Sequence, residues 1–169
     1  MEYSLFQDVL SRPAEEFGND ETLERLWAAK AMEHSDIYFN MLCSVDTRWL
    51  QLTPNDDLIY THFKQDFPDM DVSYVNENEI KNSTNKAKWR IFCEKFKNIV
   101  EDYSFGTLMR ADAKGDYSEM NTMLVPRVQF YAIEIARNRE NLNNEVKKRF
   151  KCMAKPTIEA QEHSSKIAT

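Results

Sequence analysis

Glycine and proline are too scarce in this chain for a β-sandwich or barrel. The 169 residues include 3 glycines and 5 prolines, whereas such folds need a turn residue about every 8–12 positions. Helices are therefore the default. Hydrophobic residues make up 42% of the chain and aromatic residues 12%, enough for a real core, and a single domain of this length buries roughly 70% of its unfolded surface. No apolar run approaches the roughly 18 residues of a bilayer span. The opening MEYSLFQDVLSRPAEEF has neither a basic n-region nor an apolar h-region. A soluble, unsecreted, cytoplasmic protein with no membrane partner is expected. Cys43, Cys93 and Cys152 are an odd number without C-x-x-C spacing, which argues against a disulfide framework or zinc knuckle and for a reducing compartment.

Apolar periodicity organises the chain into a mainly α, single compact domain. Residues 1–18 support no more than a short frayed helix ending before Pro13, and they read as a flexible N-terminal segment. Asn19 or Asp20 then caps a long helix whose apolar face runs from Leu23 to Val45 at helical spacing. A turn follows at residues 46–50. Thr53-Pro54 starts a second helix, with Asp56 and Asp57 at its positive end, and Phe67-Pro68 stops it. Beyond a polar connector holding Val72, Tyr74 and Val75, Asn76 caps a one-turn helix. A third long helix starts near Ser83, its face reading Trp89, Phe92, Cys93, Phe96, Ile99, Val100 and Tyr103. A short two-stranded ribbon is possible near 106–110 and 122–125 around a turn at Gly115. Pro126 opens the last core helix, Arg127 to Arg139, apolar on nearly every side and so central. The helical domain is expected to span 19–145, with 146–169 a basic, flexible tail.

Charge is unevenly divided. Residues 1–80 carry 5 Lys+Arg against 17 Asp+Glu, and residues 81–169 carry 17 against 11. Either the acidic half packs beside the basic half, with small gains per exposed pair, or a bipolar molecule offers a basic patch to an acidic partner. The densest basic stretch is Lys147-Lys148-Arg149-Phe150-Lys151, after the Arg137-x-Arg139 pair. Nucleic acid is an unlikely ligand for a chain with a pI near 5.2 and no matching zinc-finger or RNP signature.

The last core helix contains one conflict. Glu134 lies between Ile133 and Ile135, and a carboxylate in a dry core is costly unless paired and hydrogen-bonded. Arg137 at i+3, Arg127 on the same face and Arg110 from the preceding segment are candidate partners, in a cluster with Asp112. A buried network that fixes helix orientation is the structural expectation; a ligand-binding carboxylate and a recognition patch are the functional alternatives.

Familiar catalytic signatures do not occur. There is no G-x-x-x-x-G-K-[ST] and no G-x-G-x-x-G, and glycines at only 18, 106 and 115 build no phosphate cradle. His34, His62 and His163 are far apart, with no H-E-x-x-H, so no metal and no cofactor are expected. Asn82-Ser83-Thr84 matches a glycosylation sequon but reads as a helix cap.

One long stretch carries a resemblance. Residues 99–112, IVEDYSFGTLMRAD, and 117–140, YSEMNTMLVPRVQFYAIEIARNRE, are similar to the family called polysaccharide biosynthesis domain-containing protein 1. The likeness extends upstream through Ala31-Met-Glu-His, Ser44-Val-Asp, Asp56-Asp57 and Lys88-Trp89-Arg90, covering about residues 20–145. It implies a mainly α fold, a single compact orthogonal helical bundle that makes and breaks no bonds: a cytosolic chaperone dedicated to newly made translation elongation factor 1-alpha, assisting its GTP-binding domain, with the ribosome as a second expected partner. The partner-binding residues it implies are Tyr103, Phe105, Gly106, Thr107, Arg110 and Asp112. To these it adds Asn121, Thr122, Arg127, Gln129, Arg137, Asn138 and Arg139. Where the family reads Arg-Glu-Gly, this chain has Arg139-Glu140-Asn141, and Asn is the next-best left-handed C-cap. The family name points instead to a sugar or polysaccharide biosynthesis enzyme, and Lys147–Lys151 to an RNA or ribosome adaptor.

Overall fold

The computed structural model describes residues 21–150; the expectations for residues 1–18, for the Asn19 or Asp20 cap, for Cys152 and His163, and for the tail beyond residue 150 lie outside that range. The first helix, α1, spans Glu21–Ser44 and buries Ala31, Ser35, Tyr38 and Leu42 along one stripe. Asp46 then accepts a hydrogen bond from the Arg48 amide and caps a single 3-10 turn, Thr47–Trp49.

Entry into α2 (Asp56–Asp66) is a reciprocal cap. The Thr53 hydroxyl accepts from the Asn55 amide at 2.9 Å, and the Asp56 carboxylate turns back to accept from the Thr53 and Leu52 amides at 2.7 and 2.8 Å. That is a Thr-x-x-Asp form of the capping box, and it explains why Asp56 can be buried. Phe67-Pro68 ends the helix as the sequence predicts. Asn76 caps α3 (Glu77–Ile80), and Asn82 caps α4 (Ser83–Glu94) by accepting from the Asn85 amide.

The aromatic stripe expected to continue to Tyr103 as one helix does not. α4 stops at Glu94 and the chain proceeds by tight turns, with Phe96 and Val100 still buried and Ile99 turned to solvent. Asp102 adopts φ 53°, a left-handed conformation that no helix interior tolerates. The break redirects the chain into β1 (Gly106–Arg110), which pairs antiparallel with β2 (Thr122–Pro126), Gly106 opposite Pro126 and Arg110 opposite Thr122. The ribbon falls where the sequence places it. Gly106 suits a close approach there: the Trp27 indole N–H donates to the Gly106 carbonyl at 3.1 Å, and a Cβ would lie 3.0 Å from that nitrogen, so a larger residue would push the indole aside by a few tenths of an ångström.

Helix α5 (Arg127–Arg139) is the centre of the fold, packing on α2, α4, both strands and the Thr47–Trp49 turn. It ends in a Schellman motif. Asn141 has φ 61°, its amide donates to the Asn138 carbonyl, and the Leu142 amide donates to the Arg137 carbonyl at 2.8 Å. The chain then enters α6 (Asn144–Phe150), which packs on α1. Here the expected domain limit at 145 is corrected. Val146 is fully buried and the Phe150 ring meets Phe39 edge-on at 5.5 Å, so the start of the basic stretch belongs to the packed fold.

A left-handed Asn is tolerated less well than Gly and better than Ala. Asn141→Ala is expected to lower the unfolding free energy by about 1 kcal/mol, and Asn141→Gly to leave it unchanged or raise it. Urea unfolding followed by circular dichroism checks both.

Candidate functional site

The conflict at Glu134 resolves into a buried network. Tyr38 of α1 donates to Glu134 Oε2 at 2.6 Å, Arg137 NH1 to Oε1 at 2.7 Å, and Asn143 Nδ2 to Oε2 at 2.9 Å. Arg110 NH2 reaches both oxygens at 3.4 Å and donates to Asn143 Oδ1 at 2.7 Å. Glu134, Arg110 and Arg137 are each 0% exposed. Two guanidinium charges thus face one carboxylate. Backbone carbonyls take up the excess: Ala113 and Gly115 accept from Arg110, and Val72, Arg110 and Ala111 accept from Arg137. The Tyr117 ring adds a cation–π contact with Arg110 at 5.9 Å.

Burial pushes the Glu134 carboxyl up, but Arg110 and Arg137, together with the hydrogen bonds from Tyr38 and Arg137, outweigh it and hold the group at about 2. Tyr38 is pushed well above its ordinary value, first by burial and then by the Glu134 charge. With its oxygens filled by protein donors, this glutamate is a structural group.

That finding corrects part of the expected contact surface. Thr107, Arg110, Arg137 and Asn138 are buried, and Gln129 is 5% exposed, so these side chains serve the interior. Of the expected cluster around Glu134, Arg110 and Arg137 are present, while Asp112 and Arg127 stand elsewhere. Asp112 and Asn121 close the 111–121 loop: Asn121 Oδ1 accepts from the Asp112 amide, and Asn121 Nδ2 donates to the Asp112 and Asp116 carbonyls. Thr122 donates to the Ser118 carbonyl in the same loop. Arg127 lies 4.8 Å from the Phe105 ring centroid and donates to the Thr107 hydroxyl. Arg139 bonds Asp57 at 2.6 Å and covers the Tyr60 ring. The block between α4 and α5 is therefore mostly scaffold, its expected contact residues buried or half-buried.

Two surface hollows remain within reach of those members. The larger, about 490 Å³, runs between α4 and the junction of β2 with α5. Its apolar walls are Trp89, Cys93, Leu124 and Val125, with Tyr103 and Gln129 from the expected set. Lys81, Lys86 and Arg90 stand along one side, and Glu94, which accepts from the Tyr103 hydroxyl at 3.2 Å, is the one acid. Cys93 is no nucleophile: burial pushes its thiol up to about 12. The second hollow, about 300 Å³, lies beside Arg139, Asp57 and Trp49, a tryptophan 82% exposed.

Sequence reading missed Leu124 and Trp49 as surface features, because both sit in short segments without period. It also missed Tyr38 and Asn143 as partners of Glu134. A phenol on a buried helical stripe was the available signal, since its hydroxyl needs a partner. The basic stretch is tied down where it is described: Lys148 pairs with Glu145, and Arg149 lies 5.3 Å from the Phe150 ring centroid. Among the described residues no group of His, Cys, Asp and Glu could hold a metal ion, and no helix is long and apolar enough to cross a membrane.

The architecture is that of a small, mainly helical protein with one antiparallel ribbon, here built around a buried Arg–Glu–Arg cluster. A solution NMR structure of a Saccharomyces cerevisiae protein has the same fold, with TM-score 0.73 and 40% identity over 82% of this chain and 97% of that one. The chain belongs to the PBDC1 protein family, whose model matches residues 23–148. It is 48% identical to mouse protein PBDC1 over 82% of this chain and 70% of the mouse protein, and 47% identical to human protein PBDC1 over 82% and 59%. The Saccharomyces cerevisiae PBDC1 homolog is 43% identical over 78% of this chain and 92% of its own length. The matched region thus spans less than two thirds of the human relative.

Acid should weaken the fold in two stages. His34 is held at about 4, against 6.5, first by burial and then by the Arg127 charge, and its Nδ1 is buried without a hydrogen-bond partner. Folded His34 is neutral, so its contribution is full above pH 6.5 and is lost as pH falls toward 4. Glu134 contributes fully above pH 4.5 and loses its share as pH falls toward about 2. Urea midpoints measured across this range should show both stages, and His34→Leu should remove the upper one. Glu134→Gln leaves two buried arginines without a counter-charge and should cost about 3–5 kcal/mol near neutral pH.

Proposed function

We propose that this chain is a non-catalytic, cytosolic binding protein that holds newly made translation elongation factor 1-alpha while its GTP-binding domain folds. The groove beside Tyr103 carries this reading. A dedicated chaperone needs a surface that takes an exposed client segment and loses affinity when the client closes. A half-open, apolar-walled groove with a tyrosine at its edge and arginine and lysine along one side has the chemistry of such a surface. The client itself is what the family resemblance implies. Glu134 supports a binding role indirectly: the one carboxylate a sequence reader would nominate for catalysis has its oxygens occupied by Tyr38, Arg110, Arg137 and Asn143.

The test is capture of nascent elongation factor 1-alpha from a translating extract by the purified chain. Tyr103→Ala combined with Leu124→Asp should reduce capture at least ten-fold, the equivalent of about 1.4 kcal/mol at one interface anchor. The double variant should keep the parent's circular dichroism spectrum and urea midpoint to within a few tenths of a molar. Undiminished capture by a folded double variant would remove the groove from the contact; no capture by the parent chain would end the client reading.

A further inference from the structure

Across the nearly buried Ile80 and Trp89 the Tyr103 groove has a neighbour. This further hollow, of about 390 Å³, shares those two residues with it as walls, and its other apolar lining is Phe67, Met70, Tyr74 and Val75. The net charges on the two sides are opposite. Lys81, Lys86 and Arg90 border the first hollow, with Glu94 bonded to Tyr103 as its one acid, and Asp69, Asp71 and Glu79 border the second. Some of this charge is already used: Lys81 pairs with Glu77 at 2.6 Å, and Asp71 accepts from the Ser73 amide and hydroxyl. Lys86, Arg90, Asp69 and Glu79 make no ion pair among the described residues. Tyr74, 59% exposed, stands at the acidic end as Tyr103 does at the basic one.

We infer that the two hollows form one bipolar docking track for a polypeptide segment that is acidic at one end, apolar in the middle and basic at the other. The apolar centre crosses the Ile80–Trp89 wall between the exposed side chains of Leu124 and Tyr74, with the acidic end against Lys86 and Arg90 and the basic end against Asp69 and Glu79. This deepens the client reading and rests on it only for the identity of the protein that supplies the segment. Opposite charges at the two ends fix the direction in which the segment lies, and they disfavour segments of uniform charge by placing like charges together at one end.

Three fluorescein-labelled peptides test it by anisotropy with the full chain at low salt. Each has a Leu-Phe-Ala-Leu centre, flanked by two aspartates and two lysines, by aspartates on both sides, or by lysines on both sides. The bipolar peptide should bind about five-fold more tightly than either uniform one, as two or three exposed pairs predict, and the margin should shrink at high salt. Lys86→Glu with Arg90→Glu should turn the preference toward the all-lysine peptide, and Asp69→Lys with Glu79→Lys toward the all-aspartate one. Equal binding of all three, binding of none, or preferences unmoved in folded variants would overturn the track. Peptide discrimination without capture of elongation factor would leave the track standing and sink only the client reading.

Discussion

Much of this fold depends on the salt-bridged cluster of Arg110, Glu134 and Arg137. A buried charge is costly unless partners meet its polar atoms, and here, Arg110 Nε apart, those partners come from several elements. Tyr38 belongs to α1, Val72 to the connector before α3, Arg110 and Ala111 to β1 and its extension, and Asn143 to the turn before α6. Burial of such a triad is weak ground for stability, because apolar residues of the same volume could fill the space at less desolvation cost. What the triad supplies is position: the forked Arg137 binds the Val72, Arg110 and Ala111 carbonyls, which only one arrangement of ribbon, connector and α5 brings within 2.8 Å of it. The isolated bridge between Tyr74 and Asp112 follows from the same anchoring, since the Val75 amide donates to the Ala111 carbonyl that Arg137 also holds.

Anchoring the ribbon in this way determines which surface the molecule has left. Arginines are common interface anchors, and two of them, Arg110 and Arg137, are withdrawn into the core. Among the cations that remain outside on this part of the chain are Lys81, just after α3, and those of α4, above all Lys86 and Arg90, together with Arg127 and Arg139. Arg139 illustrates how the uneven charge of the sequence is settled: it bonds Asp57, and Lys95 bonds Asp66, so acids of the first half meet bases of the second across the folded surface. The packing alternative for the charge division thus accounts for part of it. The basic side of the groove is what it leaves over.

The sequence makes the elements legible and the site only partly so, for a physical reason. Helix periodicity and caps are local, and Asn82, the Thr53–Asp56 pair, the Phe67-Pro68 stop and the left-handed Asn141 all act within a few residues of themselves. The ribbon is legible because Gly115 and the β-compatible runs around it are local too. Network membership is not local. Arg137 lies one turn from Glu134 and was readable as its partner, whereas Tyr38 is 96 residues away and becomes a partner only after α1 has packed. The same holds for function: a family pattern rich in arginine and aromatic residues reads as a recognition surface until the coordinates show that Arg110 and Arg137 point inward. The end of α4 was missed because its stripe of aromatics keeps helical spacing through Val100 while the backbone leaves the helix at Glu94, the buried rings being held by packing rather than by helix geometry.

Those rings also bear on how the groove can bind. Trp89, its wall, stacks on Phe67 at 4.2 Å between centroids and meets Phe92 edge-on at 5.4 Å, and Phe63 packs against all three. Aromatic packing of this density fixes side-chain rotamers before any partner arrives. A segment docking there would be ordered without also ordering the floor, so the conformational cost would fall almost wholly on the partner. Under the proposed binding role that asymmetry would be useful: affinity would be set by how readily the partner exposes the segment, and would decline as the partner buries it.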